Sequence, residues 1–158
     1  MRPVLIVLSL ALISCSSKPE ASPESTEKPT VSSTNDQKAY LEKAAAEPGA
    51  QKTASGLVYR DVTAGSGASP KATDTVKVHY RGTLINGKEF DSSYGHDPAE
   101  FPLNRVIPCW TEGVQKMKVG GKARLVCPSG IAYGDGGAPP DIPGGATLVF
   151  EIELLGIS

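Results

Sequence analysis

Histidine is scarce in this chain of 158 residues, with only His79 and His96 present. Neither falls in an H-x-x-H or H-E-x-x-H spacing, which argues against a zinc site. No G-x-S-x-G occurs, and a Ser92, His79, Asp91 triad can be drawn only as any serine-containing chain allows. Gly134-Asp135-Gly136-Gly137 lacks the lysine of a phosphate-cradling loop and opens no helix. Cys109 has no histidine placed to activate it as a nucleophile. Neither sign of charge dominates: 16 Lys and Arg face 17 Asp and Glu, for a net charge of −1 and no basic stripe, so nothing points to nucleic acid. Aromatics make up only 6% of the chain, yet most fall in its second half. No metal and no cofactor is expected.

What is present centres on residues 76–93, VKVHYRGTLINGKEFDSS. Val76, Val78 and Tyr80 alternate with Lys77, His79 and Arg81, a period of two that puts the first three on one face of a strand. Asn86-Gly87 is the preferred pair for a two-residue hairpin turn with φ > 0 at both positions. Phe90-Asp91 lies on the returning segment, so the hairpin gathers Tyr80, Phe90 and Asp91 at one sheet surface.

The N-terminus has one positive charge at Arg2 and an apolar run from Val4 to Ile13 broken by Ser9. That run is too short to span a bilayer as a helix and has the layout of a secretory signal. Leu12-Ile13-Ser14-Cys15 resembles the lipobox of bacterial lipoproteins. Cleavage at 1–14 would leave Cys15 to carry a diacylglycerol on sulfur and an acyl chain on its amine, enough chains for a stable membrane anchor. Ser16 rather than Asp after the cysteine leans toward the periplasmic face of the outer membrane. The plainer alternative is an ordinary signal peptide with a chance cysteine. Residues 15–36, rich in Ser, Thr, Pro, Glu and Lys, bury too little to offset chain entropy and read as a disordered tether.

Residues 37–50 read as a short helical extension, with Tyr40, Leu41 and Ala44 as a weak apolar stripe stopped by Pro48-Gly49. It either docks on the domain or frays. The domain proper is expected at 51–158. Residues 57–62 and 122–127 read as strands, the latter with Ala123, Leu125 and Cys127 on one side. Residues 92–100 read as an irregular loop, and a short extended piece starts at Phe101. Pro108 suits a first helical turn, and Trp110, Val114 and Met117 then mark one helix face. A Gly- and Pro-rich loop runs over 128–145. In 146–155, Leu148, Phe150, Ile152 and Leu154 are expected to face in, with Thr147, Val149, Glu151 and Glu153 facing out. These elements predict an α+β fold: a curved antiparallel sheet of about five strands wrapped around one short helix, with a pocket between them.

Tyr80, Phe90, Phe101, Val106, Ile107, Trp110, Tyr133, Ile142 and Phe150 form the apolar set left once acid–base chemistry is set aside. Each alone reads as core, but Tyr80, Asp91 and Tyr133 bring polar groups to an aromatic cluster framed by two long loops.

The linked motifs V-x-V-H-Y-x-G-x-L (76–84), G-K-x-F-D-S-S (87–93), V-I-P-x-W-x-E-G (106–113), M-x-V-G-x-K (117–122), A-Y-G (132–134), I-P (142–143) and A-T-L-V-F-x-I-E-L-L (146–155) resemble the FKBP-type peptidyl-prolyl isomerases. A-x-S-G-L-x-Y at 54–59 is similar to the secreted bacterial branch. The resemblance implies catalysis of X-Pro cis/trans isomerisation on proline-containing unfolded or partly folded polypeptides, with a proline-binding module or holding chaperone of little turnover as the alternative. It implies that Tyr80, Phe90, Asp91, Trp110, Tyr133 and Phe150 form the catalytic pocket, and that Phe101, Val106, Ile107 and Ile142 bind substrate. Trp110 would underlie the proline ring, while the Ile107 N–H and the Tyr133 hydroxyl would bond substrate carbonyls. Macrolide inhibitors of the FK506 type are implied as ligands. Two departures stand out: many members have Gly where Cys109 stands, and the loop at 138–141 carries an acid. Only residues 37–46 remain of the long dimerising N-terminal region of chaperone-active relatives, so a monomer is expected. With Cys15 lipidated, Cys109 and Cys127 remain, and an oxidising periplasm favours a disulfide over two buried thiols.

Overall fold

The computed structural model describes residues 33–158. Its spine is β3, Thr75–Leu84, where Val76 and Val78 are fully buried. Along one edge β3 pairs with β7, Leu148–Ile157. Its other edge is shared: Thr75 to Val78 pair with β5, Ala99–Pro102, and Arg81 to Thr83 pair with β4, Glu89–Ser92. Beyond β7 lie β6 (Lys122–Cys127), β2 (Val58–Thr63) and β1 (Ala50–Lys52), giving the order β1-β2-β6-β7-β3-β4 with β5 also on β3. Every pairing is antiparallel.

The sheet thus has seven strands among the described residues rather than about five. The extra strands are short: β1 has three residues, β4 and β5 four each. Pieces of that length show too little alternation to stand out from loop. For the same reason the segment expected to be irregular through residue 100 already pairs from Ala99.

Helix α2, Pro108–Lys116, crosses the concave face. Proline sits in its first turn, and Trp110, Val114 and Met117 are buried there with Leu125, Leu148, Phe150 and Ile152. Gly113 allows the close approach, since a β-carbon at this position would collide with the Leu125 side chain. Cys109 of α2 and Cys127 at the end of β6 form a disulfide with Cα atoms 5.9 Å apart.

The convex face departs most from expectation. Helix α1, Thr34–Ala45, starts inside the segment assigned to the tether, with Ser33 and Asp36 capping each other in a reciprocal box. Its Ala44 packs with Val58, Val126 and Val149, joined by Tyr40 and Leu41. Val149 and Thr147, expected to face out, are therefore buried beneath or beside this helix. Glu47 adds ion pairs to Arg60 and, at 3.2 Å, to Arg124. The signal segment, Cys15 and the tether to residue 32 lie outside the described residues. Among the described residues no helix is long and apolar enough to cross a membrane.

Candidate functional site

Tyr80 lies where the outer partner of β3 changes from β5 to β4. Buried Ser93 fills that break: its N–H donates to the Tyr80 carbonyl at 2.9 Å, and its Oγ accepts the Tyr80 N–H at 2.9 Å. The turn beyond β3 is one residue longer than Asn86-Gly87 predicts. Leu84 N–H bonds Lys88 O at 2.8 Å, Gly87 N–H bonds Leu84 O at 2.9 Å, and Gly87 takes φ of 85°. The register of β3 and β4 then shifts between Gly82 and Thr83. The result sets Asp91 opposite Gly82 and brings the Tyr80 hydroxyl to Asp91 Oδ2 at 2.6 Å.

Gly82 matters by what it lacks. A β-carbon there would lie 2.5 Å from Phe90 Cζ and 3.0 Å from Phe150 Cε1. The bare backbone lets Phe90 meet Phe150 edge to face, with centroids 5.7 Å apart. Phe150 in turn meets Trp110 at 5.4 Å and 90°. Trp110 also takes Tyr80 at 5.2 Å and Phe101 at 5.4 Å, both edge to face. Five aromatic rings therefore hold one another at fixed angles, and Trp110 is at their centre, only 5% exposed.

Above them is a cavity of about 350 Å³. Tyr80, Phe90, Asp91, Phe101, Val106, Ile107, Trp110, Tyr133 and Phe150 line it, as does Arg105, which pattern reading missed. Arg105 ends a short 3-10 turn, Leu103–Arg105, and belongs to no periodic stretch that could have marked it. Ile142, assigned to substrate binding from sequence, does not line the cavity. It is 5% exposed in the main core, and its N–H and carbonyl exchange bonds of 3.0 and 2.9 Å with Ala138. There it braces the loop that carries Tyr133 instead of facing the groove.

The polar groups divide into engaged and free. Asp91 accepts from the Tyr80 hydroxyl with one oxygen and from the Ser92 N–H with the other, at 2.9 Å. Burial, then the bond to Asp91 and its charge, push the Tyr80 phenol above its ordinary value of 10.0, and Tyr133 adds to this. Tyr80 thus stays a neutral donor. Ile107 caps α2: its carbonyl takes the Trp110 N–H at 2.9 Å, while its own N–H has no partner among the described residues. The Tyr133 hydroxyl likewise bonds no described residue, and its side chain is 42% exposed. An apolar floor with two unengaged donors at its mouth can seat a ring and hold the carbonyls beside it. No group of three or more His, Cys, Asp or Glu among the described residues is placed to hold a metal.

Residues 67–155 match the family model of the FKBP-type peptidyl-prolyl cis-trans isomerases. The chain is 53% identical over 121 residues to the FKBP-type isomerase FkpA of Escherichia coli K12, a match covering 76% of this chain and 44% of FkpA. It is 51% identical over 119 residues to the FKBP-type 22 kDa isomerase of the same organism, covering 75% of this chain and 58% of that one. It thus spans about half the length of these relatives. The crystal structure of E. coli FkpA superposes with a TM-score of 0.75 at 52% identity, over 78% of this chain and 58% of the chain in that crystal structure. A peptidyl-prolyl isomerase from Pseudomonas syringae pv. tomato DC3000 gives 0.75 at 39% identity, over 82% of this chain and 98% of that one. With the family model matched over residues 67–155 and the fold superposed on these structures, the chain belongs to the FKBP-type peptidyl-prolyl cis-trans isomerase family.

Proposed function

We propose that the chain is a peptidyl-prolyl cis-trans isomerase acting on proline-containing segments of unfolded or partly folded polypeptides. One observation carries the reading: the cluster of edge-to-face aromatics centred on Trp110, open at one side to two unengaged donors. Rotation about an X-Pro bond faces a barrier of about 18–20 kcal/mol from amide resonance and takes tens of seconds or longer unaided. No covalent bond breaks. The planar amide is the charge-separated form, and water stabilises it. A dry aromatic floor removes that water, and the shape of the groove favours the twisted amide over the planar one. The proline ring sits on Trp110, the Ile107 N–H and Tyr133 hydroxyl hold the flanking carbonyls, and Phe90, Phe101, Val106 and Phe150 exclude solvent. Asp91, tied by Tyr80 and Ser92, acts as a polar anchor beside the twisting carbonyl and moves no proton.

In the cell the same reading has a wider frame, supported by sequence alone. A lipid on Cys15 tethers the domain at the periplasmic face of the outer membrane, where it works as a monomer on envelope or secreted proteins. The pocket also takes macrolides of the FK506 type.

A protease-coupled assay with proline peptides tests the activity. Wild type accelerates isomerisation, and Phe90→Ala and Tyr80→Phe slow it. A wild type no faster than these variants leaves a proline-binding module or holding chaperone instead. Replacing Cys15 by Ser moves the protein from the membrane to the soluble fraction; persistence in the membrane fraction overturns the anchor.

A further inference from the structure

We infer that Arg105 makes this groove select proline segments carrying an Asp or Glu side chain next to the proline. The inference names a substrate class for the site proposed above and rests on that site binding proline. Among the described residues Arg105 is the only cationic one lining the cavity, beside Val106 and Ile107. Its backbone is held in place. Leu103, at the start of the same turn, is fully buried, its N–H bonds the Asp74 carbonyl at 3.0 Å, and its carbonyl accepts Thr111 Oγ1 at 2.6 Å.

The other arginines of the described chain are engaged. Arg60 pairs with Glu47, Arg81 with Glu89 at 2.5 Å, and Arg124 with Glu47 at 3.2 Å and the Tyr40 hydroxyl at 2.7 Å. Arg105 makes no ion pair and no side-chain hydrogen bond with any described residue. The one carboxylate in the cavity wall, Asp91, accepts from Tyr80 and Ser92 and makes no ion pair with Arg105. Asp141 is 3.9 Å from Lys88. A guanidinium presents five donors in a planar fork that matches a carboxylate. At the rim of a proline groove, the group that completes it is an acidic side chain flanking the proline. With a net charge of −1 the protein as a whole attracts neither sign strongly, so any charge preference is local to this residue. Because Arg105 is exposed, the preference is modest, about two- to fivefold.

Trp110 is the only tryptophan in the chain and forms the floor of the cavity, so its fluorescence reports binding directly. Short peptides are titrated with Glu, Ala or Lys before the proline, and in a second set after it. Wild type binds the Glu form of one set about two- to fivefold more tightly than the Lys form, and raising the salt narrows the gap. Arg105→Glu inverts the order, and Arg105→Lys keeps it. An equal Glu-to-Lys ratio in wild type and Arg105→Glu overturns the inference. Turnover of the Ala-Pro peptide by wild type separates the two readings. Discrimination without turnover keeps the role of Arg105 and removes the isomerase. Turnover without discrimination does the reverse.

Discussion

The Gln37 side-chain oxygen accepts the Thr147 backbone N–H at 2.7 Å, and both residues are buried. This bond joins the first turns of α1 to the chain just ahead of β7, two residues past the end of the loop that carries Tyr133. The N-terminal helix is therefore a structural part of the domain. Gln37→Ala leaves the Thr147 N–H buried without this acceptor, an expected cost of about 1–3 kcal/mol. Urea denaturation measures it, and a midpoint equal to that of wild type would show that α1 is held to the sheet by its apolar contacts and the Tyr40–Arg124 bond without help from Gln37.

Gly82 offers a test of the aromatic ring itself. In Gly82→Ala the new methyl lands on Phe90 and Phe150. Phe90 is half-exposed and can swing outward, whereas Phe150 is locked in the core. The expected result is destabilisation of about 1–3 kcal/mol together with loss of most of the proposed isomerase activity, because the wall moves off the groove. Unchanged turnover in the protease-coupled assay would mean that Phe90 does not shape the reacting conformation.

The disulfide joins the residue before Trp110 to the residue before the Pro128–Gly145 loop. It therefore ties the floor of the cavity to the root of the loop that brings Tyr133. Its half-cystines are 18 residues apart, and a closed loop of that length stabilises the fold by about 3 kcal/mol. Cys109→Ala with Cys127→Ala should lower the urea midpoint accordingly, and reductant should do the same to wild type while leaving the double variant unmoved. A reductant-insensitive wild type would mean that the two sulfurs are not bridged in solution.

Much of the site was legible because strand and helix periods carry it. The alternation through Val78 and Tyr80, and the spacing of Trp110, Val114 and Met117, point inward from both layers to one place. What escaped was set by contacts between elements. Val149 belongs to the outward row of β7, and nothing in its own strand says that α1 will cover it. Arg105 lies in a three-residue turn with no period to read, and Ile142 resembles a groove residue until the bond pair with Ala138 turns it inward. The turn at Gly87 was recognised by its glycine, but the register shift that places Asp91 opposite Gly82 depends on the added residue.

Tyr80 and Tyr59 make the fold sensitive to alkali in a direction that can be worked out. Burial first, then a hydrogen bond and the charge of Asp91 or Asp61, raise both phenols above the ordinary value of 10.0. Below that value both folded and unfolded chains hold these protons, and the stabilisation is fully present. Above it the unfolded chain releases protons that the folded chain still binds, so stability falls as pH rises. Urea midpoints should hold level from about pH 7 to 9 and decline from about pH 10 upward. Tyr80→Phe removes one of the two groups, so its decline should be shallower whatever its stability at neutral pH. A variant whose midpoint falls in parallel with wild type would show that the Tyr80–Asp91 bond does not hold its proton in the folded protein, and with it would go the view of Tyr80 as a permanent donor to Asp91.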